Sequence, residues 1–137
     1  MASLSTVYKE EEKLYRGVYP NSDFWNSQIG KISSAVFKDK RGVSTDREKE
    51  RDAQLCVSFL LSHLSADGSV VSLTVKQCID AGILVVSDPK DDNEYHSLII
   101  TSSDKLHLTD SVAKKLARAV KYEYLDSIGQ AIYKADA

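Results

Sequence analysis

The chain has 137 residues, of which 42% are hydrophobic and 28% charged, with a formal net charge of −2. That length and apolar content fit one domain with one core, and they disfavour both wholesale disorder and a second core. A slightly acidic balance also argues against bulk, non-specific attraction to nucleic acid, and no apolar run is long enough to span a membrane or form a secretory h-region, so a cytoplasmic location is the default expectation. Cys56 and Cys78 lack CxxC spacing and fall in helical patterns, which makes them buried thiols rather than zinc ligands or a disulfide framework.

Residues 1–13 form a polar N-terminal segment whose acidic run Glu10, Glu11 and Glu12 suggests a frayed or solvated turn. LYRGVYP then suits a strand that carries Arg16 and ends at Pro20. After a loop with Phe24 and Trp25, KISSAVFK is expected as a second strand and RGVSTD as a short third, with Gly42 turning between them. Thr45 and Glu48 have capping-box spacing, which places the start of a helix there. Leu55, Cys56, Phe59, Leu60, His63 and Leu64 recur at spacings of three and four and carry that helix to about residue 64.

SVVSLTV alternates as a strand, and Thr74 with Gln77 forms a second capping box for a short helix ending at Gly82. ILVVSDP and YHSLIIT read as two further strands able to pair across the acidic loop PKDDNE. Thr109 caps an amphipathic helix built on Val112, Leu116, Ala119 and Val120. Leu125, Ile128 and Ile132 keep helical spacing, so residues 122–137 are expected to prolong that helix or form a tail. The expectation is therefore an α+β fold: a single domain over 14–121, with a mixed or mostly antiparallel sheet, about three helices and a C-terminal extension.

The segments YRGVYP, ISSAVFKDKRGVSTDR, VVSLTVKQCIDAGILVVSDP, NEYHSLII and the basic final helix together resemble a family of short bacterial proteins over roughly residues 14–121. The resemblance implies a shared fold and matches Arg16, Ser33, Ser34, Phe37, Ser44, Asp46 and His96 to the family's pattern, but carries over no mechanism. The YRG strand before a serine-rich strand also has a likeness to NAD-using ADP-ribosyltransferases. No Glu-x-Glu accompanies it, and Glu94 and Glu123 fall in an expected loop and helix, so that likeness is set aside.

Arg16 offers a forked guanidinium to a phosphate or carboxylate, with an internal ion pair to Asp46 or Asp23, or a surface arginine on a half-solvated strand, as the bland alternatives. His96 is the one plausible strand-borne proton-transfer group, but GxSxG is missing, and neither His63 nor His107 gives a metal-ligand spacing with it. Between residues 31 and 51, seven Lys or Arg face four Asp or Glu, and Lys114, Lys115, Arg118 and Lys121 follow on the last helix. If both regions share one side they form an anion-attracting patch, with Tyr15, Tyr19, Phe24, Trp25 and Phe37 as candidate stacking surfaces.

The leading functional expectation is a domain binding a phosphate-bearing ligand or nucleic acid through a polar strand cluster. Ligand-binding candidates are Arg16, Ser33, Ser34, Lys38, Ser44 and Arg47, with Asp46 orienting an arginine and His96 contacting the ligand or transferring a proton if the domain is catalytic. No cofactor or metal is called for, and whether the chain is an enzyme is left open. The alternative is a protein-interaction subunit of a bacterial toxin or defence system, which an exposed apolar face on residues 122–133 would favour.

Overall fold

The computed structural model describes residues 8–64 and 67–135. Six strands form one sheet: β1 (Lys13–Val18), β4 (Val43–Arg47), β5 (Ser69–Thr74), β6 (Leu84–Ser87), β7 (His96–Ile100) and β8 (Lys121–Tyr124). Their order is β6-β7-β4-β1-β5-β8, and every pairing is antiparallel. A small hairpin of β2 (Trp25–Asn26) and β3 (Lys31–Ile32) lies outside it. Four α-helices complete the described chain: α1 (Ala53–His63), α2 (Val75–Asp80), α3 (Asp110–Ala119) and α4 (Ser127–Ile132). The expected single α+β domain is thus observed, with one more helix than anticipated, and no described helix is long and apolar enough to cross a membrane.

Alternation along β1 and β5 divides the core. Leu14, Val18, Val71 and Leu73 pack on one face with Cys78 of α2 and Ala113, Leu116 and Ala117 of α3. Tyr15 and Val70 point to the other face, where α1 covers them with Cys56, Val57, Leu60 and Leu61. Both cysteines are buried free thiols, and burial pushes the Cys78 thiol up to about 12. The second capping box forms as expected: Gln77 N–H donates to Thr74 and Thr74 N–H to the Gln77 side chain. Gly82 follows with a φ of 78°, a left-handed turn that glycine adopts without penalty.

Three expectations are corrected. Residues 31–38 do not form a strand: β3 stops at Ile32, and Ser34–Phe37 wind into a single 3-10 turn that buries Val36 and Phe37. Thr45 does not cap a helix, because β4 is bonded into the sheet and its hydroxyl donates to the Ser97 carbonyl; left-handed Lys49 and Glu50 turn the chain, and Asp52 caps α1 instead. The last helix ends at Ala119, and residues 121–124 leave it to become edge strand β8. Glu123, expected on a helix, is therefore strand-borne, accepting from Ser72 Oγ at 2.6 Å and Lys13 Nζ at 3.1 Å. Leu125, Ile132 and Tyr133 pack onto the core, leaving only Tyr124 and Ile128 as large exposed hydrophobics of that segment.

The N-terminal segment is also more committed than its polarity suggests, although residues 1–7 lie outside the described residues. Tyr8 is buried with its hydroxyl 2.7 Å from Ser97 Oγ, and Glu12 is buried in a two-point pairing with Arg47, both bonds at 2.8 Å. Arg47 stacks over Tyr8 at 3.9 Å. Burial alone would raise the Glu12 carboxyl, but bonds from Arg47 and the Lys49 N–H hold it below its ordinary value of 4.5. A carboxyl lowered by folding stabilises fully above its ordinary pKa and loses that contribution as the pH falls through the lower folded value.

Arg47→Met should therefore cost about 3 kcal/mol at neutral pH, the low end for breaking a buried pair. The gap from the parent, read from urea midpoints, should shrink as the pH is lowered below about 4.5. A gap that did not change with pH would contradict the pairing.

Candidate functional site

Arg16 lines the smaller of two clefts. The β1–β4 ladder has two paired positions, Leu14↔Arg47 and Tyr15↔Asp46, after which the strands diverge. The Arg16 guanidinium reaches into the gap, where Nε donates to the Val36 carbonyl at 3.0 Å and Nη1 to the Ser44 carbonyl at 2.9 Å. It thus joins β1, the 3-10 turn and β4 where backbone pairing has ended. Desolvation lowers its pKa, and no carboxylate lies within ion-pair distance of it among the described residues. The anticipated pairing with Asp46 or Asp23 is accordingly not made.

Beside this gap lies a cavity of about 350 Å3 bordered by Arg16, Ser44, Asp46 and His96. Four of the eight residues singled out from the sequence thus meet at one hollow. Asp46 and His96 are register partners on β4 and β7, so their side chains leave the same face of the sheet. Asp46 is 2% exposed. Its Oδ1 accepts from Asn93 Nδ2 at 2.8 Å, and its Oδ2 is buried without a partner. Such an orphaned oxygen costs about 1–3 kcal/mol or more for a charged group, so a positively polarised neighbour would be well received there.

His96 is oriented by Asp88 rather than by Asp46. Its Nδ1 lies 2.9 Å from the Asp88 carbonyl and 3.1 Å from its carboxylate, and Nε2 has no partner among the described residues. An imidazole fixed at Nδ1 in this way presents Nε2 as the atom able to take or give a proton. His63 closes the hollow from the end of α1, with Nδ1 on the Phe59 carbonyl at 2.9 Å and Nε2 on the Asp92 carbonyl at 3.2 Å. These carbonyls, Phe59 foremost, raise its pKa.

The other candidates lie elsewhere. Lys38 pairs with exposed Asp110 at 3.2 Å, and Arg47 is committed to Glu12, so neither borders the cleft. Ser33 and Ser34 border a second, larger groove of about 760 Å3 with Lys31, Lys114, Arg118 and Lys121. No carboxylate lines that groove, and neither Lys114, Arg118 nor Lys121 makes an ion pair among the described residues. Tyr122 and Tyr133 meet there with centroids 4.4 Å apart, and Lys31 lies 4.6 Å over Tyr133 while donating to the Lys134 carbonyl. Tyr15, Trp25 and Phe37, proposed as stacking surfaces, are instead core residues. Comparison with protein-family models, with curated proteins and with solved structures returns no match for the chain.

Asp88, which orients His96, Asn93, which bonds Asp46, and Lys90, which lines the cleft and pairs with Asp88 at 3.1 Å, escaped the sequence reading because DPKDDNE has the composition of a solvated loop. The available signal was the turn chemistry of Asn93, whose Oδ1 accepts from the Tyr95 N–H and so aims its amide at Asp46.

Arg16→Leu should deprive two carbonyls of their donors and lower stability by about 2–4 kcal/mol, measured by urea denaturation. A loss below about 0.5 kcal/mol, the range of an ordinary surface change, would mean the guanidinium does not hold the gap.

Proposed function

We propose that this protein binds a phosphate-bearing ligand, a nucleotide or a single-stranded nucleic acid, in the groove between the β3 turn, α3 and β8. One observation carries this reading: among the described residues, three cations without ion-pair partners, Lys114, Arg118 and Lys121, border a concavity whose wall holds no carboxylate. In a chain of net charge −2, such local segregation gives a field opposite to that of the molecule as a whole.

Helix α3 creates the basic wall by its periodicity. Its apolar positions Ala113, Leu116 and Ala117 are turned to the core, so Lys114 and Arg118, four residues apart, emerge together on the outer side. Val120 breaks the helix in extended conformation, and Lys121 begins the strand alongside. The opposite wall supplies the Ser33 and Ser34 hydroxyls. The Ser33 hydroxyl already donates to the Asp23 carbonyl, so Ser34 is the better phosphate donor of the two. Two adjacent tyrosines at the floor suit a planar base next to the phosphate.

The protein-interaction reading depends on an exposed apolar face over residues 122–133, and the inward packing of Leu125, Ile132 and Tyr133 removes most of it. The groove reading is therefore preferred.

Fluorescence anisotropy with labelled nucleotides and short single-stranded RNA and DNA tests it. Binding should weaken with salt, and three phosphate contacts to a single strand predict a log–log slope near −2, at about 0.7 per phosphate. The Lys114→Ala, Arg118→Ala double variant should lose about tenfold or more in affinity and flatten that slope. Binding unaffected by both substitutions, or none by the parent at low salt, would defeat the reading.

A further inference from the structure

The Arg16 cleft has a different chemistry from the groove. Its wall holds the part-buried, largely desolvated Arg16 guanidinium and the buried Asp46 side chain, neither ion-paired among the described residues, with exposed Lys90 and Asp92 also on the lining. Arg16 spends Nε and one Nη1 hydrogen on backbone carbonyls, leaving Nη2 without a partner among the described residues. Among the described residues Asp46 has the neutral Asn93 amide on Oδ1 and no hydrogen-bond partner for its buried Oδ2. Both residues border the same cavity, yet they form no ion pair with each other. Folding therefore keeps two opposite charges desolvated and apart, an arrangement that is unfavourable unless something completes it.

We propose that this cleft is a binding site for a small zwitterion with an apolar side chain, an amino-acid-like molecule whose carboxylate meets Arg16 and whose ammonium meets Asp46.

Each class of simpler ligand fits worse. A phosphate or a lone carboxylate would satisfy Arg16 but would enter a small cavity alongside the Asp46 charge. A simple amine would satisfy Asp46 and meet the guanidinium. A molecule carrying both groups answers both walls at once, and charge complementarity then gives specificity as well as attraction. The rest of the lining supports an apolar side chain, because Val18, Val36, Leu60 and Leu64 border the same space. A volume of about 350 Å3 is near the lower end for ligand pockets, roughly 300–1,000 Å3, which favours a single small molecule over a polymer. His96, held at Nδ1 by Asp88, adds an Nε2 able to hydrogen-bond the same ligand.

This inference stands apart from the groove, since no residue lines both concavities. Titration of the full chain with L-leucine, L-methionine and L-phenylalanine, followed by amide NMR shifts, tests it directly. At least one should bind saturably, shifting the amides of Asp46, Asn93 and His96. For leucine the matched probes are 4-methylpentanoate, which lacks the amine, and 3-methylbutylamine, which lacks the carboxylate; each should bind about tenfold or more weakly. Asp46→Asn, which keeps the shape and removes the charge, should abolish the preference for the zwitterion. The same variant should melt at a higher temperature than the unliganded parent, because a neutral amide is cheaper to bury than an unpaired carboxylate. Lys114→Ala with Arg118→Ala should leave amino-acid binding unchanged.

Three results would overturn the proposal: no saturable shift at millimolar amino acid, a single-charge analogue binding as well as its parent, or Asp46→Asn both less stable and unaltered in binding. Shifts confined to the amides around Lys114 and Arg118 would likewise count against it.

Discussion

The geometry of the whole molecule turns on a guanidinium placed where two strands part. β1 and β4 separate after two rungs, and the carbonyls of Val36 and Ser44 would be left without donors were Arg16 not there to supply them. A lysine could satisfy one such group but not span both, because the planar fork is what reaches two acceptors in fixed directions. With the strands held apart, a hollow opens at the gap instead of a closed ladder, lined from one face by Val18 and Val36 and from the α1 face by Asp46, Leu60 and His63. The chemistry assembled there, Asp46 and His96 on adjacent strands, follows from pleat and register alone once that gap is open.

The surface shows a second kind of organisation. A net charge of −2 conceals an uneven distribution, in which Asp46 and Asp92 border one concavity together with Arg16 and Lys90, while the cations of α3 and β8 border the other with no carboxylate among the described residues. The cleft is small and lined by charges of both signs, and the groove is larger and, among the described residues, lined by charges of one sign. Two concavities so unlike each other suit ligands of different chemistry, and each is built from elements that the core already fixes. α3 buries its apolar face, which dictates the direction in which Lys114 and Arg118 emerge.

Much of this was legible from the residues in order. The Thr74–Gln77 cap, the pairing of 84–87 with 96–100, and the Thr109 cap each rest on local chemistry or on strong alternation, and these agree with the tertiary structure. The misread segments are those where two local signals competed. Thr45 and Glu48 satisfy the spacing of a cap, but bonding of β4 to both β1 and β7 outweighs it, and the helix waits for Asp52. The spacing of Leu125, Ile128 and Ile132 is helical and does produce α4, yet Tyr122, Glu123 and Tyr124 alternate, and the free edge of β5 takes them as a strand. At the site, Arg16, Ser44, Asp46 and His96 were recognisable by residue type. Their actual partners were not, because Asn93 and Asp88 lie in a loop whose composition announces only solvent.

The order of the strands in space also bears on how the chain can assemble. The first strand sits in the interior of the sheet, and its two neighbours are the strands at 43–47 and 69–74. During synthesis the leading segment emerges early but has no native ladder to join until residues far downstream appear, and the far edge is completed only by residues 121–124. Non-local closure of this kind slows the search for the native arrangement and prolongs the interval in which an apolar strand is uncovered. For this chain, β1 therefore lacks its full set of neighbours until residues 69–74 have joined it.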